Sequence, residues 1–319
     1  MNENRISKTA VIMPDVTLGR NIIIQDNVII GSGSIIGDGT EIGAGVIVGE
    51  NCVIGIKCIV KERTIIGDNV ILGEGVYLDY DVVFRDNVTI GDFSVIGCRS
   101  ILGEYLVDFY SEKKNTKHLL SIGKKALIRS EAIIYGSTTI DDDFQTGHRV
   151  TIREYCTIGK NVRIGTLADI QGHCEIQEYV NIHSNVHIGQ KSIIKKYAWL
   201  FPYVILTNDP NPPSESLQGV TIEEFAVVCT GTIILPGIVI GKESLIGAGA
   251  IVTKSVGESL VAVGNPAKIM GSTEKIKDKV TGNNIYPWKN TFDRGMPWQN
   301  IGYEEWEKGN RDENNAKPS

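Results

Sequence analysis

The feature that most constrains this chain is an aliphatic residue that recurs at every sixth position. The register runs without a break through residues 12–102, resumes through 122–206 and resumes again through 222–252. A hexapeptide period predicts a parallel β-helix, because each hexapeptide supplies one short strand and one corner. Three hexapeptides then form one triangular coil of eighteen residues.

The side-chain directions follow from the same register. Successive residues of a strand point to opposite faces, so the aliphatic residue points into the coil and its immediate neighbours point outward. The register holds 37 hexapeptides, which predicts an all-β solenoid of about twelve triangular coils. The period alone does not fix the hand of the helix.

Two insertions interrupt the repeat, at about residues 103–119 and 207–219. Five whole coils separate them once the extra residues are removed, so both loops should leave the same corner of the triangle, roughly 24 Å apart. Because both loops lie on one edge, we expect them to form the two walls of one groove. The alternative is that both loops pack against other subunits.

The chain divides into a β-helix domain at residues 1–271 and an extension at 272–319. Within the extension, residues 273–282 are compatible with a short helix, and 283–308 hold three of the four tryptophans. A solenoid needs its terminal coil covered, so we expect an aromatic cap there. Contact with substrate is the alternative role, and the polar end should be disordered.

Composition excludes several classes of function. The net charge of −6 argues against a general nucleic-acid binder. No apolar run approaches the roughly 20 residues that a membrane helix needs, and the polar start lacks the apolar core of a signal peptide. The six cysteines are scattered, which favours reduced thiols in a cytoplasmic protein over a disulfide or zinc framework.

Coil arithmetic points to a catalytic pair. Asp169 and His187 are eighteen residues apart and each precedes an inward isoleucine, so both should point outward from neighbouring coils. The strand spacing of about 4.8 Å lets the carboxylate bind one imidazole nitrogen and fix the tautomer. The other nitrogen can then accept a proton as general base. The second insertion begins one coil away, where Asn208 should stack above Gln190.

Other polar residues are candidate substrate contacts. His183 should lie across a corner from His187, with Asn181 on its own face and Asn185 at the corner between. Asp209 opens the proline-rich loop, and His148 follows Thr146, a hydroxyl residue in the inward row. His183 and His148 are weaker candidates for the base. His173, near a corner, has a structural role in this interpretation, and His118 lies on a loop. Nearby cations suit a polyanionic substrate, although a solvated outer face also explains them: Arg149, Arg153, Lys160, Arg163, Lys191, Lys195 and Lys196.

Residues 10–270 resemble the hexapeptide-repeat acyltransferase superfamily, whose fold is a left-handed parallel β-helix. The segments "CEIQEYVNIHSNVHIG", "LTNDPNPPSES", "IGAGAIVTKSV" and "VGNPAKIMG" look most like those of acetyl-CoA-dependent N-acetyltransferases of nucleotide-linked amino sugars. The resemblance implies a homotrimer with acyl-CoA, here acetyl-CoA, in the groove between adjacent prisms. It implicates the following residues in binding CoA: Gly231, Gly247, Ala248, Gly249, Lys254, Asn265, Pro266 and Lys268.

Three alternatives stay open. A sugar O-acetyltransferase would use the same site residues but would depend more strongly on a general base, because a hydroxyl is a poorer nucleophile than an amine. A metal hydratase of the γ-carbonic anhydrase type would need three imidazoles around zinc, and His183 and His187 are four residues apart where that family has five. We therefore expect no metal. A non-catalytic solenoid scaffold is the third alternative.

Overall fold

The computed structural model describes residues 3–113 and 118–315, and the repeat forms a three-sided parallel β-helix. Most strands are two residues long, an outward residue followed by the inward aliphatic one. Away from the insertions, each strand pairs in parallel with the strands eighteen residues before and after it. This arrangement is consistent with the left-handed parallel β-helix that the family resemblance implies.

The three faces are named by their order along the chain. The first face contains the following strands: Arg5–Ile6, Ile23–Ile24, Glu41–Ile42, Ile59–Val60, Tyr77–Leu78, Val95–Ile96, Leu127–Ile128, Gln145–Thr146, Arg163–Ile164, Asn181–Ile182, Trp199–Leu200, Val227–Val228, Leu245–Ile246, Leu260–Val263 and Lys268–Ser272. The second face contains Val11–Ile12, Ile29–Ile30, Ile47–Val48, Ile65–Ile66, Val83–Phe84, Ile101–Glu104, Ile133–Tyr135, Thr151–Ile152, Asp169–Ile170, His187–Ile188, Ile205–Leu206, Ile233–Ile234 and Ile251–Val252. The third face contains Thr17–Leu18, Ile35–Ile36, Val53–Ile54, Ile71–Leu72, Val88–Ile90, Leu120–Ile122, Thr138–Ile140, Thr157–Ile158, Glu175–Ile176, Ile193–Ile194, Thr221–Ile222 and Val239–Ile240.

The solenoid is slightly longer than the predicted twelve coils. The three faces contain 15, 13 and 12 strands. The extra strands lie on the first face, where Arg5–Ile6 precedes the aliphatic register and Leu260–Val263 continues beyond it. The last strand, Lys268–Ser272, runs antiparallel to Leu260–Val263 and ends the sheet as a hairpin.

The inward residues form one continuous core along the prism axis. Aliphatic side chains such as Ile170, Ile182 and Ile188 are buried in it. Most corners contain one residue with positive φ, and at many of them that residue is an asparagine such as Asn161 or Asn185 rather than glycine. Asparagine tolerates the left-handed region better than most residues, so the corners do not depend on glycine.

Both insertions leave the corner between the second and third faces, as predicted. The first follows strand Ile101–Glu104 and the second follows Ile205–Leu206, and five coils separate those strands. The first insertion contains a single helical turn at Phe109–Glu112. Residues 114–117 of the predicted insertion 103–119 lie outside the described residues.

The C-terminal extension differs from the prediction in position. It does not cap the last coil but packs against the side of the prism, because outward aromatic side chains there need cover. Tyr197 and Phe225 occupy the corner between the third and first faces, and Trp288 and Trp298 pack on them in a second apolar cluster. The Trp288 indole N–H donates to the Phe225 carbonyl oxygen at 2.9 Å.

Two further expectations for the extension are wrong. A short helix at 273–282 is replaced by a 3₁₀ turn at Thr273–Lys275, and a second 3₁₀ turn lies at Trp288–Asn290. The α-helix lies later, at Tyr303–Asn315, and includes six of the last ten residues, which the polar composition predicted to be disordered. The final residues, 316–319, lie outside the described part of the chain. None of the described helices is long and apolar enough to cross a bilayer.

Candidate active site

The Asp169–His187 pair is formed as the repeat register predicts. The two residues face each other across paired strands of the second face, and His187 Nδ1 lies 3.0 Å from Asp169 Oδ2. Ile170 and Ile188, which follow them, are buried and hold both strands against the core. The side chains of His187 and Asp169 remain 42% and 39% exposed, so a substrate can reach them.

The Asp169 carboxylate has a second donor that the sequence interpretation missed. Gln171 Nε2 donates to the same Asp169 oxygen at 2.8 Å. The hydrogen bond from His187, with that from Gln171, lowers the pKa of Asp169 below its usual value despite partial burial. An ionised Asp169 places the imidazole proton on Nδ1, which leaves Nε2 as the acceptor. Gln171 shares the outward face with Asp169, which is the signal that could have identified it.

His183 is separated from His187, as predicted. It follows strand Asn181–Ile182 of the first face, and Asn185 forms the intervening corner with a φ of 59°. The His183 ring stacks on Phe201, with centroids 4.7 Å apart and planes 12° apart. Burial lowers the pKa of His183, which keeps the ring neutral. Asn181 is buried, and its amide donates to the Tyr179 carbonyl oxygen at 3.3 Å.

The second insertion closes on itself beside His187. The Asn208 carbonyl oxygen accepts from the Gln218 amide at 2.8 Å, which ties the neck of the loop. Asn208 packs over Gly189, where an added Cβ would lie 3.0 Å from Asn208 Cβ. It therefore lies beside the predicted partner, Gln190.

The Asp209 carboxylate is occupied by its own loop. It accepts from the backbone amides of Asn211 and Ser214 at 3.0 and 2.7 Å and from the Ser214 hydroxyl at 2.7 Å. The Ser214 hydroxyl is the main cause of the lowered pKa of Asp209. In this structure Asp209 shapes the loop rather than presenting a free carboxylate to a substrate.

The other histidines lie apart from the pair. His148 is exposed, two coils from Asn185 on the same edge, a distance of about 10 Å. His173 stacks on Tyr155 at the edge between the second and third faces, with centroids 4.7 Å apart. His118 is buried in the first insertion, where Nε2 lies 2.6 Å from Asp108 Oδ2.

The residues that the resemblance implicates in CoA binding continue the edge of Asn185. Gly231 and Gly249 are corners between the first and second faces, with φ of 72° and 69°. Their amides donate to the carbonyl oxygens of Pro202 and Thr230 in the coil below, so neither is free for a ligand. The Gly247 amide likewise donates to the Ala262 carbonyl oxygen, whereas the amide of Ala248, an exposed residue, has no acceptor within the described chain.

The remaining implicated residues lie at the end of the solenoid. Asn265 and Pro266 form the turn of the final hairpin, and Lys268 begins its second strand. The Ile251 amide donates to the Gly264 carbonyl oxygen at 3.0 Å, which holds this turn against the last strand of the second face. Lys254 is exposed just after that strand.

Most of the predicted cations are neutralised by neighbours. Five of them form ion pairs, Arg149 with Glu131, Arg153 with Glu154, Lys160 with Asp143, Lys195 with Glu223 and Lys196 with Glu178. Lys191 Nζ donates to the Leu217 carbonyl oxygen at 3.4 Å. Arg163 has no acidic partner among residues 3–113 and 118–310.

Two cavities on the first face were not predicted. One is apolar, about 220 Å³, and lies between the prism and the extension: it is lined by Trp199, Phe201, Val227, Tyr286, Trp288 and Phe292. The other is polar, about 310 Å³, and contains Arg129, Arg163, Asn181 and His183. The aromatic signal at 197–201 was visible in the sequence, but the contact with the extension was not. In the described part of the chain, no group of three or more metal-ligating side chains could hold a metal ion.

Comparison with known families supports the repeat assignment. The profile of the bacterial transferase hexapeptide (six repeats) matches residues 155–190, and that of the hexapeptide repeat of succinyl-transferase matches 232–254. The GMPPB C-terminal domain profile matches residues 1–85.

Several acetyltransferases share segments with the chain. A galactoside O-acetyltransferase from Lactococcus lactis is 48% identical over 50 residues, 16% of this chain and 24% of that protein. A 2,3,4,5-tetrahydropyridine-2,6-dicarboxylate N-acetyltransferase from Staphylococcus aureus is 35% identical over 74 residues, 23% of this chain and 30% of that protein. The chain spans between 24% and 64% of the length of the first curated relatives it matches.

Among solved structures, an Arabidopsis UDP-N-acetylglucosamine acyltransferase is 20% identical with a TM-score of 0.37, covering 84% of this chain and 74% of that one. PerB from Caulobacter crescentus, in complex with CoA and GDP-perosamine, is 26% identical with a TM-score of 0.22, covering 44% and 55%. The hexapeptide register and the two matching profiles show that the chain contains repeats like those of bacterial hexapeptide transferases, at residues 155–190 and 232–254.

Proposed function

We propose that the protein transfers an acetyl group from acetyl-CoA to the amino group of a nucleotide-linked amino sugar. The observation that carries this proposal is the exposed His187–Asp169 pair, at 3.0 Å, in a repeat segment that matches the transferase hexapeptide profile. The matched segments of an N-acetyltransferase and an O-acetyltransferase support acetyl transfer as the reaction.

In the proposed reaction the substrate amine attacks the thioester carbonyl carbon. The new C–N bond forms, the C–S bond breaks, and CoA leaves as the thiolate. His187 Nε2 accepts the proton from the amine and returns it to the thiolate, while Asp169 stabilises the transient imidazolium. A polar donor near the acetyl carbonyl would stabilise the oxyanion, and Asn208, which lies against Gly189, itself two residues after His187, is our candidate for that donor.

Acetyl-CoA would lie along the edge that continues from Asn185 through Gly231 and Gly249 to the final hairpin. The exposed Ala248 amide, with no acceptor within the described chain, is the donor we assign to the pantetheine arm. Lys254 and Lys268 are exposed near the end of this edge and suit the CoA phosphates. Asn265 and Pro266 in the hairpin turn would contact the adenine, as the resemblance implies. No metal takes part in this scheme.

We also propose that the active unit is a homotrimer and that it works in the cytoplasm. A groove between adjacent prisms would complete the CoA site, because a single convex edge surrounds only one side of the ligand. The free cysteines suit a reducing compartment.

O-acetylation is a second candidate. A protein base matters more for a hydroxyl, and the His187–Asp169 pair supplies one. The matched segment of a galactoside O-acetyltransferase also favours this chemistry.

The test is an assay of the purified protein with acetyl-CoA and a panel of UDP-, dTDP- and GDP-linked amino sugars, together with their hydroxyl counterparts. Release of the CoA thiol and mass spectrometry of the product report transfer. Transfer to the amino but not to the hydroxyl compounds is expected. Transfer to the hydroxyl compounds alone would favour the second candidate, and no transfer to either would refute the proposal.

A further inference from the structure

We infer that the first face of the prism, together with the C-terminal extension, forms a binding site for the nucleoside diphosphate part of the substrate. This inference rests on the proposed function and names the subsite that holds the nucleotide. Its basis is an apolar aromatic cavity that adjoins a basic polar one, a combination that matches an aromatic ring joined to phosphates.

The apolar cavity suits a planar heterocycle. Trp199 meets Trp288 and Phe292 edge-on, with centroids 5.9 and 5.5 Å apart and interplanar angles of 81° and 90°. The Trp199 indole N–H is buried and has no hydrogen-bond partner. A buried donor without an acceptor costs free energy, so a ligand that brings an acceptor atom to Trp199 would be favoured over a purely aliphatic one. A nucleobase offers ring nitrogens or carbonyl oxygens for that role.

The polar cavity suits the phosphates. It contains Arg129 and Arg163, and neither has a carboxylate partner within the described chain. By contrast, Arg99, Arg149 and Arg153 all form ion pairs with glutamates. Two guanidinium groups left without counter-charges in one cavity attract a polyanion, and their planar forks match phosphate oxygens.

His183 joins the two cavities. Its ring lines the polar cavity and stacks on Phe201, which lines the apolar one. Arg163, Asn181 and Trp199 occupy equivalent outward positions on successive coils, so two coils, about 10 Å, separate the arginine from the indole. That separation leaves room for a ribose between the base and the phosphates.

The extension also bounds the phosphate end. At Gly295, with a φ of 75°, an added Cβ would lie 2.8 Å from the Arg163 guanidinium, so the chain passes directly against this arginine. The sugar attached to the second phosphate would then turn around the corner at Asn185 to reach His187 on the second face. The aromatic extension thus serves as one wall of the nucleotide site.

The experiment measures binding of UDP, dTDP and GDP to the full chain by isothermal titration calorimetry, without acetyl-CoA. At least one should bind with a Kd in the micromolar range, quench tryptophan fluorescence and lose affinity at least about tenfold in Arg163→Gln. Trp199→Phe keeps a ring but removes the N–H, and should weaken binding about threefold to tenfold. Arg63→Gln, at a paired and distant arginine, is the matched control and should leave Kd within about twofold.

No binding by any of the three, or equal affinity in the wild type, Arg163→Gln and Trp199→Phe, would overturn the inference. Circular dichroism confirms that each variant is folded. Nucleotide binding with these sensitivities but without acetyl transfer would refute the proposed reaction and leave the subsite standing. Acetyl transfer in which Arg163→Gln leaves KM for the nucleotide sugar unchanged would support the proposed reaction and refute the nucleotide subsite.

Discussion

His187 Nδ1 lies 3.0 Å from Asp169 Oδ2, across neighbouring coils of the second face. The eighteen-residue spacing fixes this contact, because one coil brings equivalent positions of adjacent strands side by side. The pair is therefore a direct consequence of the repeat register. Its exposed position and the carboxylate's second bond to Gln171 give it the form of an oriented base.

Replacing Asp169 with asparagine should lower kcat by roughly 10²-fold while acetyl-CoA affinity stays unchanged. The amide removes the negative charge that stabilises the imidazolium and can donate to Nδ1, which favours the wrong tautomer. Steady-state kinetics of Asp169→Asn and Gln171→Ala separate the effect of the carboxylate charge from that of its second hydrogen bond. Gln171→Ala keeps the charge and should lose less than about tenfold, and an equal loss in both variants would contradict a role for the charge.

Replacing Asp209 with alanine should raise KM for the sugar substrate while kcat changes little. The Asp209 carboxylate accepts three hydrogen bonds within its loop. Its loss should therefore make the loop that borders the site more mobile without changing the groups that contact the reacting atoms. We expect KM to increase by about threefold to tenfold, because the loosened loop would contact the substrate more weakly by about the net contribution of one hydrogen bond. Ser214→Ala, which removes one of the three, is the milder control. A selective loss of kcat in Asp209→Ala would instead indicate a direct role in the reaction.

The ionised Glu131 carboxylate should stabilise the folded state at neutral pH, and this stabilisation should be lost in acid. Hydrogen bonds from Arg99 and then Arg149 lower the pKa of Glu131 from 4.5 to about 2. A carboxyl group whose pKa is depressed in the folded state stabilises it above the unfolded pKa, and that contribution is lost as the pH falls through the folded pKa. The Tm of Glu131→Gln should lie below that of the wild type at pH 7, and the difference should shrink between pH 4.5 and 2. A constant difference over this range would contradict the linkage.

Replacing Trp298 with alanine should loosen the extension without unfolding the prism. Trp298 is fully buried in the second apolar cluster, and a buried Trp→Ala change costs about 3–5 kcal/mol. Solenoid coils contact mainly their neighbours, so the loss should stay local. Limited proteolysis should cut the extension while circular dichroism retains the β signal. Loss of that signal would show that the extension is required for the prism to fold.

The sequence predicted the prism in detail because a strict period fixes which residues point inward. The contact between Asp169 and His187 and the shared corner of the two insertions follow from counting residues, and the structure contains both. The position of the extension could not be obtained in this way. It depends on Tyr197 and Phe225 at corners, where aromatic side chains project outward and attract Trp288 and Trp298 from a segment that has no repeat.

The sequence also could not show which polar side chains of the site are already paired within the protein and which are available to a ligand. Asp209 looked like a substrate contact, but its carboxylate is used by a loop whose backbone path no period describes. The cations near the site looked alike, and only the structure shows that Arg149 and Arg153 are paired with glutamates whereas Arg163 has no carboxylate partner within the described chain.

The most direct test of the account compares kcat for acetyl transfer in the wild type, His187→Ala and His183→Ala, with the oligomeric state and acetyl-CoA affinity of each verified. His183 is compared on kcat alone, because it lies in the proposed nucleotide site on the adjacent face and its loss should raise KM for the nucleotide sugar. The account predicts that kcat falls by roughly 10²–10⁴ in His187→Ala and by less than about tenfold in His183→Ala. Near wild-type turnover in His187→Ala would contradict the assignment of His187 as the base.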